Sequence, residues 1–200
     1  MPRMLHRSGR TRENAGKPAA LELSFACYER LPLLDCDEWR GRLAASTDTT
    51  LERYGIDLLA FAFLPDGVRL VISRPSKPVD YSRLLYFMKR RFSQDIKLKL
   101  RQKSRDLFKR LIIREGPGRY VFRFWQPGPG LVRELATPLE LAATIEAVHA
   151  GPVERGLCHA PAEWKWSSWA HYHLPGVPSD GSLPRVRPVH VGVPHGVRET

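Results

Sequence analysis

The sequence predicts an α+β domain with a mainly antiparallel sheet packed by helices, ferredoxin-like in its simplest version, flanked by extended basic tails. Three observations predict it. Strand-like runs alternate with helix-like ones, two adjacent β-rich runs are joined by a tight-turn signal, and segments without periodicity flank the whole. A chain of 200 residues that is 42% hydrophobic buries one core but is too short for two ordinary domains.

Taken in order, residues 1 to 19 are rich in Arg, Gly and Lys and lack periodicity, so they read as a disordered basic arm that could touch phosphates. LELSFACY (21–28) alternates as a strand does, and CDEWRGRLAASTDTTLERYG (36–55) has helical apolar spacing that ends at Gly55. IDLLAFAFLPDGVRLVIS (56–73) holds two β-rich runs separated by Pro65, Asp66 and Gly67, a hairpin signal. Beyond Pro75 and Pro78, a single helix is expected over about 81–110, where Leu85, Met88, Phe92, Ile96 and Leu100 recur three or four residues apart. RYVFRFWQPGPGLVREL then gives aromatic extended structure broken by Pro127, Gly128, Pro129 and Gly130. A last helix is expected from Pro138 to about Ala150. Five of the 17 prolines fall between Leu174 and Thr200, so 174–200 reads as an extended tail.

The formal charge is +11, with 32 Lys plus Arg against 21 Asp plus Glu, which favours a polyanionic partner. Most of the excess lies in 83–110. There Arg83, Lys89, Arg90, Arg91, Lys97, Lys99, Arg101, Lys103, Arg105, Lys109 and Arg110 face only Asp95 and Asp106. Like charges three or four residues apart on a helix repel, so this loading suits a phosphate backbone better than open solvent. Phe92, Phe122, Phe124 and Trp125 are candidate base-stacking surfaces, with core packing the favoured reading.

Cys27, Cys36 and Cys158 form no CxxC pair and no zinc-finger spacing, which fits a reducing cytoplasm. The N-terminus has no apolar h-region, and no stretch approaches the roughly 18 apolar residues of a spanning helix. The expected location is cytoplasmic, nucleoid-associated if DNA is bound, with no membrane partner.

Four segments in order, over about 20–173, resemble the REP-associated branch of the single-tyrosine HUH transposases. They are LERYGIDLLAFAFLPDGVRLVIS, the basic helix with MKRRFSQ, RFWQPGPG, and EAVHAGPVERGLCHAPAEWKWSSWAHYH. The last is the most specific: Pro152, Val153, Gly156 and Leu157 keep the family's Pro-Val-x-x-Gly-Leu, and Trp164, Trp166, Ser167, Ser168 and Trp169 keep its Trp-x-x-Ser-Ser-aromatic pattern, while Gly151 replaces the usual Asn. The resemblance implies a transposase-like domain over 20–173 that handles single-stranded or hairpin DNA, and it makes a homodimer a candidate assembly.

The same resemblance marks what is missing. The family's His-hydrophobic-His triplet, which binds Mg or Mn, is here Gly67, Val68 and Arg69, and Ala147 stands where the nucleophilic Tyr belongs. Glycine offers no ligand, Arg repels a cation yet can grip a phosphate, and a methyl group cannot attack phosphorus. Catalytic residues are therefore expected to be absent, with no cofactor and no metal. The expected DNA contacts are Arg69, Lys89, Arg90, Arg91, Lys97, Lys99, Arg101 and Lys103. His149 reads as a structural or surface residue. His171 and His173 form an HxH triplet able to chelate a metal only if extended, and read as surface histidines. Trp164, Trp166 and Trp169 read as pins holding the C-terminal segment to the sheet. Two alternatives stay open: an enzyme with a relocated nucleophile, for which Tyr81, Tyr86 and Tyr120 remain, or an RNA-binding or protein-interaction domain.

Overall fold

The structure is a computed structural model that describes residues 20–174, 176 and 181–189; the N-terminal arm and much of the proline-rich tail lie outside the described residues. The first six elements are β1 (Ala20–Ala26), α1 (Asp37–Tyr54), β2 (Leu58–Leu64), β3 (Gly67–Ser73), α2 (Tyr81–Lys103) and α3 (Arg105–Arg110). A hairpin of β4 (Ile112–Gly116) and β5 (Arg119–Phe122) follows, then β6 (Leu131–Leu135), α4 (Pro138–Glu154) and α5 (Trp169–His173).

The main sheet has the order β2-β3-β1-β6 with every neighbouring pair antiparallel. β3 is thus inserted between β1 and β2, a split βαβ arrangement. Alternation along the strands separates two faces. On one face Leu21, Leu23, Phe25, Phe61, Phe63, Val68, Leu70 and Ile72 pack with α1 and α2. On the other, Ala60, Ala62, Val71 and Leu135 pack with Leu141, Ile145 and Val148 of α4. The sheet is therefore a middle layer, and its α4 face also carries the polar residues Glu22, Arg69 and Arg133 at the intervening positions.

Two helix boundaries differ from expectation. The long basic helix breaks at Ser104 (φ −145°, ψ 82°) into α2 and α3. A straight helix over 81–110 would run about 45 Å, against roughly 23 Å for a seven-residue strand. The break instead turns Leu111 into the core and lays Phe108 against Phe122, ring centroids 5.9 Å apart. The last helix runs past Ala150 through Pro152 to Glu154, because Gly151 and Pro152 are both buried and packing outweighs the backbone bond that proline removes.

Thr137 starts α4 with a capping box: its hydroxyl accepts from Glu140 N at 3.1 Å, and the Glu140 carboxylate accepts from Thr137 N at 3.1 Å. Thr137→Ala is expected to cost about 1 kcal/mol of stability. Urea titration followed by tryptophan fluorescence reads this directly.

The aromatic candidates for stacking belong to the core. Phe92 packs edge-on to Phe124 at 4.9 Å, Trp125 lies 5.3 Å from Phe92, and only Phe122 is partly exposed. Residues 181–189 form neither helix nor strand; Leu183 and Val186 nevertheless pack on the core, and Arg187 N donates to Leu58 O at 2.8 Å. Among the described residues no helix is long and apolar enough to cross a membrane.

Candidate functional site

β3 and α4 bring together the three positions that the resemblance makes catalytic. Gly67 and Arg69, two residues apart, share one face of β3, and the Arg69 side chain rises from that face to α4. Its Nη1 donates to the backbone carbonyl of Ala147 at 2.9 Å. An open cleft of about 590 Å³ lies alongside, lined by Gly67, Arg69, Gly151, Lys89 and Arg155 among others.

Arg69 is held on several sides. Its Nε and Nη2 donate to Glu22 Oε1 at 3.0 and 2.7 Å. The other carboxylate oxygen of Glu22 accepts from Arg133 Nε and Nη2 at 2.9 and 2.7 Å, and Arg133 Nη2 also donates to Thr144 Oγ1 at 3.0 Å. One buried carboxylate thus joins guanidiniums from the two strands flanking its own, and these in turn reach α4. Burial alone raises the Glu22 carboxyl pKa; its hydrogen bonds and charge attraction to Arg69 and Arg133 outweigh that and hold it below its ordinary value. At the position where the resemblance expects a metal ligand, the planar fork of Arg69 is engaged in an ion-pair network.

The neighbouring positions are shaped to match. A Cβ on Gly67 would come 3.0 Å from the Phe25 carbonyl oxygen, so a histidine there would require the β1 backbone to yield. A Cβ on Gly151 would lie 3.8 Å from Arg69 Nη1, an ordinary contact. Arg155 clamps the turn before β3: its Nη1 and Nη2 donate to Asp66 Oδ1 and Oδ2 at 2.6 and 2.8 Å. Tyr81, Tyr86 and Tyr120 do not line the cleft.

The expected DNA contacts do not form one surface. Arg69 lies on the α4 face of the sheet, whereas α2 packs on the opposite face, and of the α2 set only Lys89 reaches the cleft. Lys89 is buried; its Nζ donates to the carbonyls of Gly128 and Pro129, so it anchors the Pro-Gly loop, and burial lowers its pKa. Gly130 in that loop has φ +110°, and a Cβ there would stand 2.5 Å from the Ser24 carbonyl oxygen, so the close approach of loop to β1 requires glycine.

Arg90, Arg91, Lys97, Arg101 and Lys103 are exposed, while Lys99 pairs with Glu38, whose other oxygen lies 3.9 Å from Lys103. Sequence reading missed the aromatic side of this surface. Tyr86 is 50% exposed with Arg90 over its ring, and Phe87 lies between Arg53 and Arg83 at 5.2 and 5.6 Å. Phe87, Arg53, Arg90 and Arg91 line a groove of about 260 Å³ between α1 and α2. The i, i+1 pair Tyr86–Phe87, flanked by Arg at 83 and 90, was the available signal.

His149 is 1% exposed, with Nε2 2.8 Å from Ser168 Oγ, and burial, with help from His173 and His171, pushes its pKa down to about 4. His171 and His173 lie in the helical turn α5 and not in an extended segment, so they do not face each other. Trp164 Nε1 donates to Phe63 O at 3.1 Å and Trp166 Nε1 to Asp37 Oδ1 at 2.6 Å.

No protein-family model matches the chain. No curated protein matches it in sequence either. Among solved structures it is similar to the REP-associated tyrosine transposase bound to a REP hairpin, with a TM-score of 0.61 and 14% identity, covering 93% of this chain and 98% of that one. A Deinococcus radiodurans R1 protein assigned as a transposase aligns with a TM-score of 0.43 and 17% identity, over 70% of this chain and 93% of that one. The described residues therefore have the fold of the REP-associated tyrosine transposase.

Proposed function

We propose that the protein is a transposase-like DNA-binding protein that grips single-stranded or hairpin DNA without cutting it. The observation that carries this reading is Arg69 locked between Glu22 and Ala147, where the resemblance calls for a metal ligand beside a tyrosine. Gly67, Arg69 and Ala147 supply neither metal ligand nor nucleophile, so transfer of a phosphoryl group to protein by the family's chemistry has no starting point. Binding needs only charge and stacking. The exposed Arg90, Arg91, Lys97 and Arg101 on α2, next to the Arg-flanked rings of Tyr86 and Phe87, combine the two as single-strand binders do. The fold is that of a protein solved with a REP hairpin, which favours a hairpin as the probe.

The test is fluorescence anisotropy with a labelled DNA hairpin, an unstructured DNA strand and an RNA hairpin, across a salt series, with Mg or Mn present. The expected result is salt-sensitive binding that prefers the DNA hairpin, and no adduct surviving denaturing electrophoresis. Absence of binding at low salt would overturn the DNA reading. A metal-dependent covalent adduct would overturn the non-cutting part in favour of a relocated nucleophile. Tighter binding to the RNA hairpin at matched salt would replace DNA with RNA as the ligand.

A further inference from the structure

We propose that Glu146, His149 and His173 form a binding site for a divalent transition metal of the zinc class, distinct from the erased triplet on β3. The three side chains each bring one ligand atom to within 4.8 Å of the other two. Glu146 and His149 are three residues apart on α4 and so share a face, and His173 arrives from α5.

The second observation is the state of His149. It is fully buried, and its Nδ1 has no hydrogen-bond partner among the described residues, a costly arrangement for a polar atom removed from water. Its other nitrogen, Nε2, sits 2.8 Å from Ser168 Oγ. Ser168 Oγ also accepts from Phe61 N at 2.9 Å and can donate to Phe61 O at 3.4 Å. If Nε2 carries the proton and donates to Ser168, all of these bonds are satisfied together and Nδ1 presents a bare lone pair. Metal-ligating histidines are set up in this way, with the second ring nitrogen donating to a fixed acceptor that orients the ring.

Two imidazoles and a carboxylate with a fourth position open to water are a zinc-type donor set, softer than the all-oxygen shell that Mg takes. Bond lengths of about 2.1 Å place tetrahedral ligand atoms about 3.4 Å apart. Glu146 and His173 are both exposed and have the side-chain freedom to close that gap, while His149 stays fixed. His173 stacks on Trp169 at 4.6 Å, so a small rotation of its ring and a larger movement of Glu146 bring the ligand atoms together. A bound ion would clip α5, and the Trp-Ser-Ser segment before it, to α4.

The test titrates zinc into the metal-free full-length protein by calorimetry and follows cobalt by its visible absorption, with Glu146→Gln, His173→Ala and the double variant alongside. His149 is left intact because its ring is part of the packing. One equivalent of zinc is expected to bind the parent chain, with a tetrahedral cobalt spectrum and a higher melting temperature. Each variant is expected to lose roughly 10–100-fold in affinity. No binding up to roughly 0.1 mM zinc, or binding equally tight in the double variant, overturns the proposal.

Discussion

Replacing Glu22 with alanine is expected to lower the free energy of unfolding by about 2–3 kcal/mol, with Arg69 and Arg133 left facing each other above the sheet. Removing one partner of a fully buried pair costs more, but these two side chains are 28% and 48% exposed, so water takes up part of the stranded charge. The cost should therefore largely vanish when the whole network is replaced by apolar residues, as in Glu22→Leu combined with Arg69→Met and Arg133→Leu. A pH signature accompanies it. The Glu22 pKa is lowered in the folded state, so its contribution is fully present above the carboxylate range of the unfolded chain and is lost as pH falls through the lower folded value. Asp66, held down by Arg155 and Arg30 against the opposing effect of burial, adds a second contribution of the same sign. Urea titrations at pH 7, 5 and 3 on the parent and on Glu22→Gln should show a smaller acid loss in the variant. A Glu22→Ala protein as stable as the parent at pH 7 would mean that the network is decoration.

Reversing charge on the outer face of α2, with Arg90→Glu, Arg91→Glu, Lys97→Glu and Arg101→Glu together, is expected to weaken hairpin binding by at least about 100-fold at low salt. The slope of log affinity against log salt should fall by about 0.7–0.9 for each phosphate that the variant no longer neutralises. Each substitution should change stability by no more than about 0.5 kcal/mol, because all four are exposed and none supports the core. Lys99→Ala is the internal control, since Lys99 is already spent on Glu38. Unchanged affinity in the fourfold variant would move the DNA away from α2 and toward the cleft beside Arg69.

The residues explain why some features were legible in the sequence and others were not. The Pro65-Asp66-Gly67 turn and the strand-like runs around it depend on neighbours in the chain, so the hairpin could be read directly. The break at Ser104 is set by where Leu111 and Phe108 find a core, which no local pattern encodes. Gly67, Arg69 and Ala147 were visible where the resemblance expects two metal ligands and a nucleophile, but the contacts made around them were not. Glu22 lies 47 residues from Arg69 and 111 from Arg133, and only the pairing of β1 with both β3 and β6 brings the three together. Lys89 looked like its basic neighbours because burial of one lysine in such a run leaves no trace in charge or spacing. His149 and His173 were visible singly, while their approach depends on how α5 returns to α4.

The Trp-Ser-Ser segment also has a consequence for solubility. β2, LLAFAFL, is buried along its whole length and sits at the margin of the sheet, a composition that invites other chains to pair with it if its backbone is left open. Here Ser168 N and Oγ engage Phe61 O and N, Phe63 N reaches Trp166 O, and Tyr172 and Arg187 take Leu59 O and Leu58 O. Each of these bonds removes a docking point for a foreign strand. Damage to this segment would therefore show first as self-association of the protein.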